Sequence, residues 1–154
     1  MKSKTIREQF HKSQNISFIS EYTDFFLLSL YENGRNFEYL LEDPYLTDKI
    51  AAALVRGMNI HGNSLTVKHF AANSQEYSRR DVNAVVLERA LREIYLKSFE
   101  MCVKEGNAKT IMTSYNPINE HWTAVNYELN TVILREEWGY TGMVMTDWWP
   151  NLSK

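Results

Sequence analysis

Leu65-Thr66-Val67-Lys68-His69 is a short apolar run that stops on two polar side chains. Two further runs have the same form: Thr110 to Ser114 stops on Tyr115, and Gly142 to Thr146 stops on Asp147. Helical pattern lies between them, and strand, helix, strand, helix, strand is the repeating unit of a parallel α/β fold. In such a succession the carboxyl ends of all strands point to one rim. Lys68, His69, Tyr115 and Asp147, far apart in sequence, then converge on one pocket that holds a carboxylate, two cations and a phenol.

Working outward, Asp43-Pro44 reads as a helix start, because Asp caps free backbone N–H groups and Pro suits the first turn. Leu46, Ile50, Leu54 and Met58 supply the apolar stripe of that helix, and His61-Gly62-Asn63 ends it before the strand at Leu65. The longest helix is expected over Val85 to Lys104, with Leu87, Leu91, Ile94, Phe99 and Cys102 near one face and Glu88–Arg92 and Glu93–Lys97 as pairs four apart. A third helix, capped by Asn126, presents Leu129, Val132, Ile133 and Trp138 inward and ends at Gly139. Phe25 to Leu30 reads as either strand or helix, since short apolar runs do not distinguish the two.

With 154 residues, 44% hydrophobic and 23% charged, the chain has the make-up of one ordinary globular domain. A net charge of -2 offers no broad basic surface, which argues against nucleic acid or an anionic membrane as partner and for a small molecule. The one cysteine, Cys102, excludes an internal disulfide and a cysteine-rich zinc site, and its helical setting reads as a core thiol. His11, His61, His69 and His121 lack metal-ligand spacing, so no metal is expected. No stretch is long and apolar enough for a signal or a membrane span, which makes the cytoplasm the default location. Glycine-rich phosphate loops are absent from the sequence, which removes the support for a nucleotide site. A complete (β/α)8 barrel takes about 250 residues, so the expected fold is a partial (β/α)8 TIM-type barrel with parallel strands.

Five segments carry a resemblance: Gly34-Arg35-Asn36-Phe37-Glu38-Tyr39, Glu42-Asp43-Pro44-Tyr45-Leu46, Val67-Lys68-His69-Phe70-Ala71-Ala72-Asn73, Glu88-Arg89-Ala90-Leu91-Arg92-Glu93-Ile94-Tyr95-Leu96 and Val144-Met145-Thr146-Asp147-Trp148. In that order and spacing they resemble the N-terminal barrel of the β-glucosidase-like enzymes of glycoside hydrolase family 3. The resemblance covers roughly three quarters of the chain, from Gly34 to Trp149. It divides the sequence into a poorly matching segment, 1–33, and a barrel portion, 34–154.

The resemblance implies a hydrolase that needs no cofactor and acts on a β-glycoside, with Asp147 as nucleophile of a retaining reaction. It implies that Lys68, His69, Arg35 and Arg79 bind sugar hydroxyls, that Tyr115 lies close to the nucleophile, and that Trp148 lies on the aglycone side. Arg35 has a structural alternative in Glu38 or Glu42, and the choice of Arg79 over Arg80 rests on spacing. Glu76 is a tempting second carboxylate, but the resemblance places the acid/base further along the chain than Lys154. The N-acetylglucosaminidase branch of the family is disfavoured, since Ala71 to Arg80 contains no histidine. The expectation is therefore an internal piece of a larger enzyme, inactive alone and prone to self-association through uncovered barrel edges. A non-catalytic sugar-binding remnant and an inactive α/β scaffold are the alternatives.

Overall fold

The computed structural model describes residues 19–26, 40 and 43–150. Four strands form one sheet in the order β1 (Ile19–Phe26), β2 (Ser64–Phe70), β3 (Thr110–Thr113) and β6 (Met143–Met145), and every pairing is parallel. Strand order follows chain order, as expected when each strand is returned to the same edge by a helical crossover. The pairs Phe25↔Val67, Val67↔Ile111 and Ile111↔Val144 put one layer of residues straight across the sheet. Phe25-Phe26 closes a strand; the remainder of that apolar run lies outside the described residues.

Helix α1 (Pro44–Ile60) begins as its sequence dictates, with the Asp43 carboxylate accepting from the Leu46 N–H at 2.9 Å and Pro44 in the first turn. Of the expected stripe only Met58 packs against the core. Thr47, Asp48, Ala51, Ala52 and Val55 are buried, whereas Leu46, Ile50 and Leu54 are 48%, 37% and 40% exposed. Small side chains permit close approach to helix α3 (Lys97–Lys104), and this face wins over the larger one because tight packing against α3 needs little side-chain volume. The α3 C-terminus shows how tight the fit is: a Cβ on Gly106 would lie 2.5 Å from the Cys102 carbonyl oxygen and 3.0 Å from Val55 Cβ. At the interface centre the Ser98 hydroxyl donates to the buried Asp48 carboxylate.

The expected long helix starts three residues later than its pattern suggests and is not uniform. Short α2 (Glu88–Ala90) runs into a wide turn, Leu91–Tyr95, with hydrogen bonds spanning five residues, before α3. Leu91, Leu96, Phe99, Cys102 and Val103 are buried; Leu87 is exposed because it only caps the helix start, and the widening turns Ile94 outward. Arg92 pairs with Glu88 as anticipated, but Lys97 bonds Glu100 at 2.9 Å rather than Glu93, which Arg89 takes at 3.0 Å. The third helix, Glu128–Glu137, is a π-helix entered through an Asn126 cap that accepts from the Leu129 N–H at 3.0 Å. A hairpin of β4 (Pro117–Ile118) and β5 (His121–Trp122) links β3 to this region.

The core lies between the sheet and the helices. Leu65, Val67 and Ile111 meet Val55, Phe99, Cys102, Ile133 and Leu134, and the Phe70 ring sits 4.9 Å from Phe99 and 6.0 Å from Trp138, centre to centre. Cys102 is a core thiol, as its setting suggests. All seven residues of β2 are buried, the mark of a parallel strand covered on both faces.

Candidate active site

The three run-ending residue groups meet. Lys68 and His69 close β2, Tyr115 follows β3 by two residues, and Asp147 follows β6 by two. Because the strands are parallel and adjacent, all four fall on one rim, and each is at least nine-tenths buried. Alternation along β2 explains Lys68: Leu65 and Val67 face the helices, so Lys68 falls on the opposite side of the sheet.

Asp147 is 6% exposed and held by two contacts. Its Oδ1 accepts from its neighbour's backbone, Trp148 N, at 2.8 Å, and its Oδ2 lies 3.5 Å from His69 Nε2. One oxygen is thereby fixed by a main-chain donor, which orients the carboxylate without consuming the second oxygen. Tyr115 reinforces the same turn, its hydroxyl donating to the Trp148 carbonyl.

Arg79 reaches the site from the loop after β2. Its guanidinium lies over the Tyr115 ring at 5.1 Å and pairs with Glu76 at 3.0 Å. Glu76 is thus tied to an arginine. Arg80 lies over the same ring at 4.9 Å, so both neighbours in the Arg79-Arg80 doublet approach Tyr115. Trp148 is 63% exposed, and its ring centre lies 6.3 Å from that of Trp149. Arg35 lies outside the described residues.

Sequence reasoning missed the supports of this rim. Ser114 and Asn116, on either side of Tyr115, are each 1% exposed and both donate to the Ala71 carbonyl, at 2.8 and 3.4 Å. Thr123, fully buried, donates to the Ser114 carbonyl. The one signal for them is a cluster of small polar residues at the end of an apolar strand. Among the described residues no group of three or more His, Cys, Asp or Glu is arranged to hold a metal ion. No described helix is long and apolar enough to cross a membrane.

Known proteins share this sequence and fold. Residues 30–153 match the family model described as "Glycosyl hydrolase family 3 N terminal domain". A β-glucosidase of Ruminococcus albus is 52% identical over 121 residues, which is 79% of this chain and 13% of the relative. An exo-α-(1→6)-L-arabinopyranosidase of Bifidobacterium longum is 50% identical over 75% of this chain and 14% of its own length. The crystal structure of a β-glucosidase from Paenibacillus barengoltzii superposes with a TM-score of 0.78 and 61% identity, covering 83% of this chain and 14% of that one. Glucosidase 3B of Thermotoga neapolitana in complex with glucose gives 0.77 and 41%, over 84% and 19%. The chain thus spans a seventh or so of its relatives' length, and it belongs to glycosyl hydrolase family 3.

Proposed function

We propose that this rim is the nucleophile-bearing and sugar-binding part of a retaining β-glucosidase-like hydrolase, built on a portion of a (β/α)8 barrel. One observation carries the proposal: a buried carboxylate, Asp147, is oriented by the Trp148 N–H at 2.8 Å and faces His69 at 3.5 Å, beside buried Lys68 and Tyr115.

The chemistry follows from that arrangement. An Asp147 oxygen attacks the anomeric carbon and forms a covalent ester with it. The bond from that carbon to the leaving oxygen breaks, its electron pair goes to the leaving oxygen, and a general acid supplies a proton. Water then attacks the same carbon, the carboxylate leaves, and the former acid takes the proton from water. Two inversions return the original β configuration. Lys68, His69 and Arg79 supply N–H donors that suit ring hydroxyls, and fixed donors around a water-poor pocket cost little reorganisation during reaction. Glu76 pairs with Arg79, and the family resemblance assigns the acid/base role to a different carboxylate, further along than Lys154. The names of the relatives make a β-glucoside the first substrate to test, and the arabinopyranosidase among them makes an α-L-arabinopyranoside the second.

The test is the anomer released first. Proton NMR of intact protein turning over a nitrophenyl β-glucoside should show β-glucose before mutarotation, and Asp147→Asn should remove turnover while leaving circular dichroism unchanged. Initial release of α-glucose, or full activity in Asp147→Asn, overturns the proposal.

A further inference from the structure

The ladder between β2 and β3 is regular at Thr66↔Thr110 and Val67↔Ile111, then shifts register before Phe70↔Thr113. Lys68 and His69 occupy that shift; Lys68 still pairs with Phe26 on the β1 side, but His69, which faces Asp147, has no regular partner in either ladder. What holds the chain on the far side of His69 is a set of bonds from one short segment. Ser114 N–H donates to the Phe70 carbonyl at 2.9 Å, Ser114 Oγ donates to the Ala71 carbonyl at 2.8 Å, and Asn116 Nδ2 adds a second bond to that carbonyl at 3.4 Å.

Ser114 is itself anchored. The Thr123 hydroxyl donates to the Ser114 carbonyl, and the Thr123 carbonyl accepts from Asn130 Nδ2 at 2.6 Å on the π-helix Glu128–Glu137. Proton counting makes the series directional. A hydroxyl has one hydrogen: Thr123 spends its own on Ser114 C=O, and Ser114, with Ala71 C=O at 2.8 Å and Thr123 Oγ1 at 3.2 Å, spends its own on the nearer Ala71 C=O. The order is then Asn130 to Thr123 to Ser114 to Ala71, each side chain gripping the backbone of the next. Ser114 and Thr123 are 1% and 0% exposed, so water does not substitute for a missing link.

Ser114 also precedes Tyr115, whose hydroxyl reaches the Trp148 carbonyl beside Asp147. His69, which reaches the carboxylate, and Tyr115, which reaches the carbonyl of the residue after it, are therefore rooted in one residue. We propose that Ser114 and Thr123 are positioning residues, a buried relay that sets His69 and Tyr115 against Asp147. This rests on the function proposed above, since it concerns alignment of that carboxylate.

Misplacement of a reacting group by about 1 Å costs about 10²-fold in rate, which sets the scale of the test. The intact protein is inactivated with a 2-deoxy-2-fluoro-β-glucoside, and the limiting labelling rate is separated from the reagent's binding constant. Thr123→Val keeps the shape and removes the hydroxyl; Thr123→Ser keeps the hydroxyl. On the scale above, Thr123→Val should lower the labelling rate about ten- to a hundredfold with binding within about threefold, and Thr123→Ser should restore it. If Thr123→Val does not fold, Asn130→Asp, which loses the amide donor, should slow labelling in the same way. A valine variant, or in its place Asn130→Asp, that labels at the wild-type rate with only its melting temperature lowered overturns the relay. So does a folded valine variant that serine fails to rescue. Absence of labelling in the wild-type protein strikes the proposed function instead, so the two failures are distinct.

Discussion

Removing the Ser98 hydroxyl isolates one buried ionisable contact at the α1–α3 interface. Asp48 is 4% exposed and Ser98 1%, and the serine donates to Asp48 Oδ1. Burial raises the Asp48 carboxyl above its ordinary value of 3.8, against the opposing pull of the Ser98 hydrogen bond and of Lys97 and Lys49, while Glu100 adds to the rise. A raised folded-state value means that the native state holds this proton more tightly than the unfolded chain. Its contribution is therefore fully present below pH 3.8 and is lost as pH climbs through the raised value. Ser98→Ala removes the donor that favours ionisation, so the loss deepens and extends to higher pH. A hydrogen bond to an ionised group inaccessible to water contributes about 1.5–3 kcal/mol, and a neutral one about 0.5–1.5. At about 2–4 °C per kcal/mol for a protein of this size, the variant should melt about 3–12 °C lower near neutral pH. The deficit should shrink by about half as pH falls toward 3.8 and Asp48 protonates. Thermal unfolding followed by tryptophan fluorescence across that range reads it directly. A deficit that is the same at both ends, or larger in acid, refutes the assignment of a buried Ser98–carboxylate bond.

Phe70→Ala should cost about 3–5 kcal/mol in urea unfolding, because a fully buried ring between Phe99 and Trp138 leaves a cavity that a rigid strand does not close; a loss under about 1 kcal/mol contradicts that packing. Cys102, whose thiol is pushed up to about 12 by burial and by the nearby Asp48, should resist alkylation in native protein at mildly alkaline pH and react on denaturation. Mass spectrometry distinguishes the two states. Asp43→Ala should lower stability by about 1 kcal/mol through loss of the helix cap, and an unchanged midpoint contradicts the cap.

The rim was legible in the sequence because parallel topology turns three separated strand ends into one edge, and each end carries a polar residue after an apolar run. Caps were legible for a similar reason: Asp43 and Asn126 act within three residues of themselves, so no tertiary information is needed. The inward face of α1 was not. Leu46, Ile50 and Leu54 form the more apolar stripe, yet the contact with α3 selects Ala51, Ala52 and Val55, and that choice depends on interhelical distance rather than hydropathy. The widened turn at Leu91–Tyr95 was hidden likewise, since bonds spanning five residues leave no fixed mark in composition. Glu100, rather than Glu93, draws Lys97 because Arg89 already holds Glu93, at 3.0 Å. At the site, Ser114, Asn116 and Thr123 are ordinary small polar residues until the fold places their donors on particular carbonyls.

The most direct test of the proposed chemistry is identification of the residue that becomes covalently bound to sugar. Intact protein inactivated with a 2-deoxy-2-fluoro-β-glucoside, digested and sequenced by tandem mass spectrometry, should carry one fluorosugar on Asp147, and Asp147→Asn should carry none. A label on Glu76 or on any other residue, with Asp147 unmodified, contradicts the assignment.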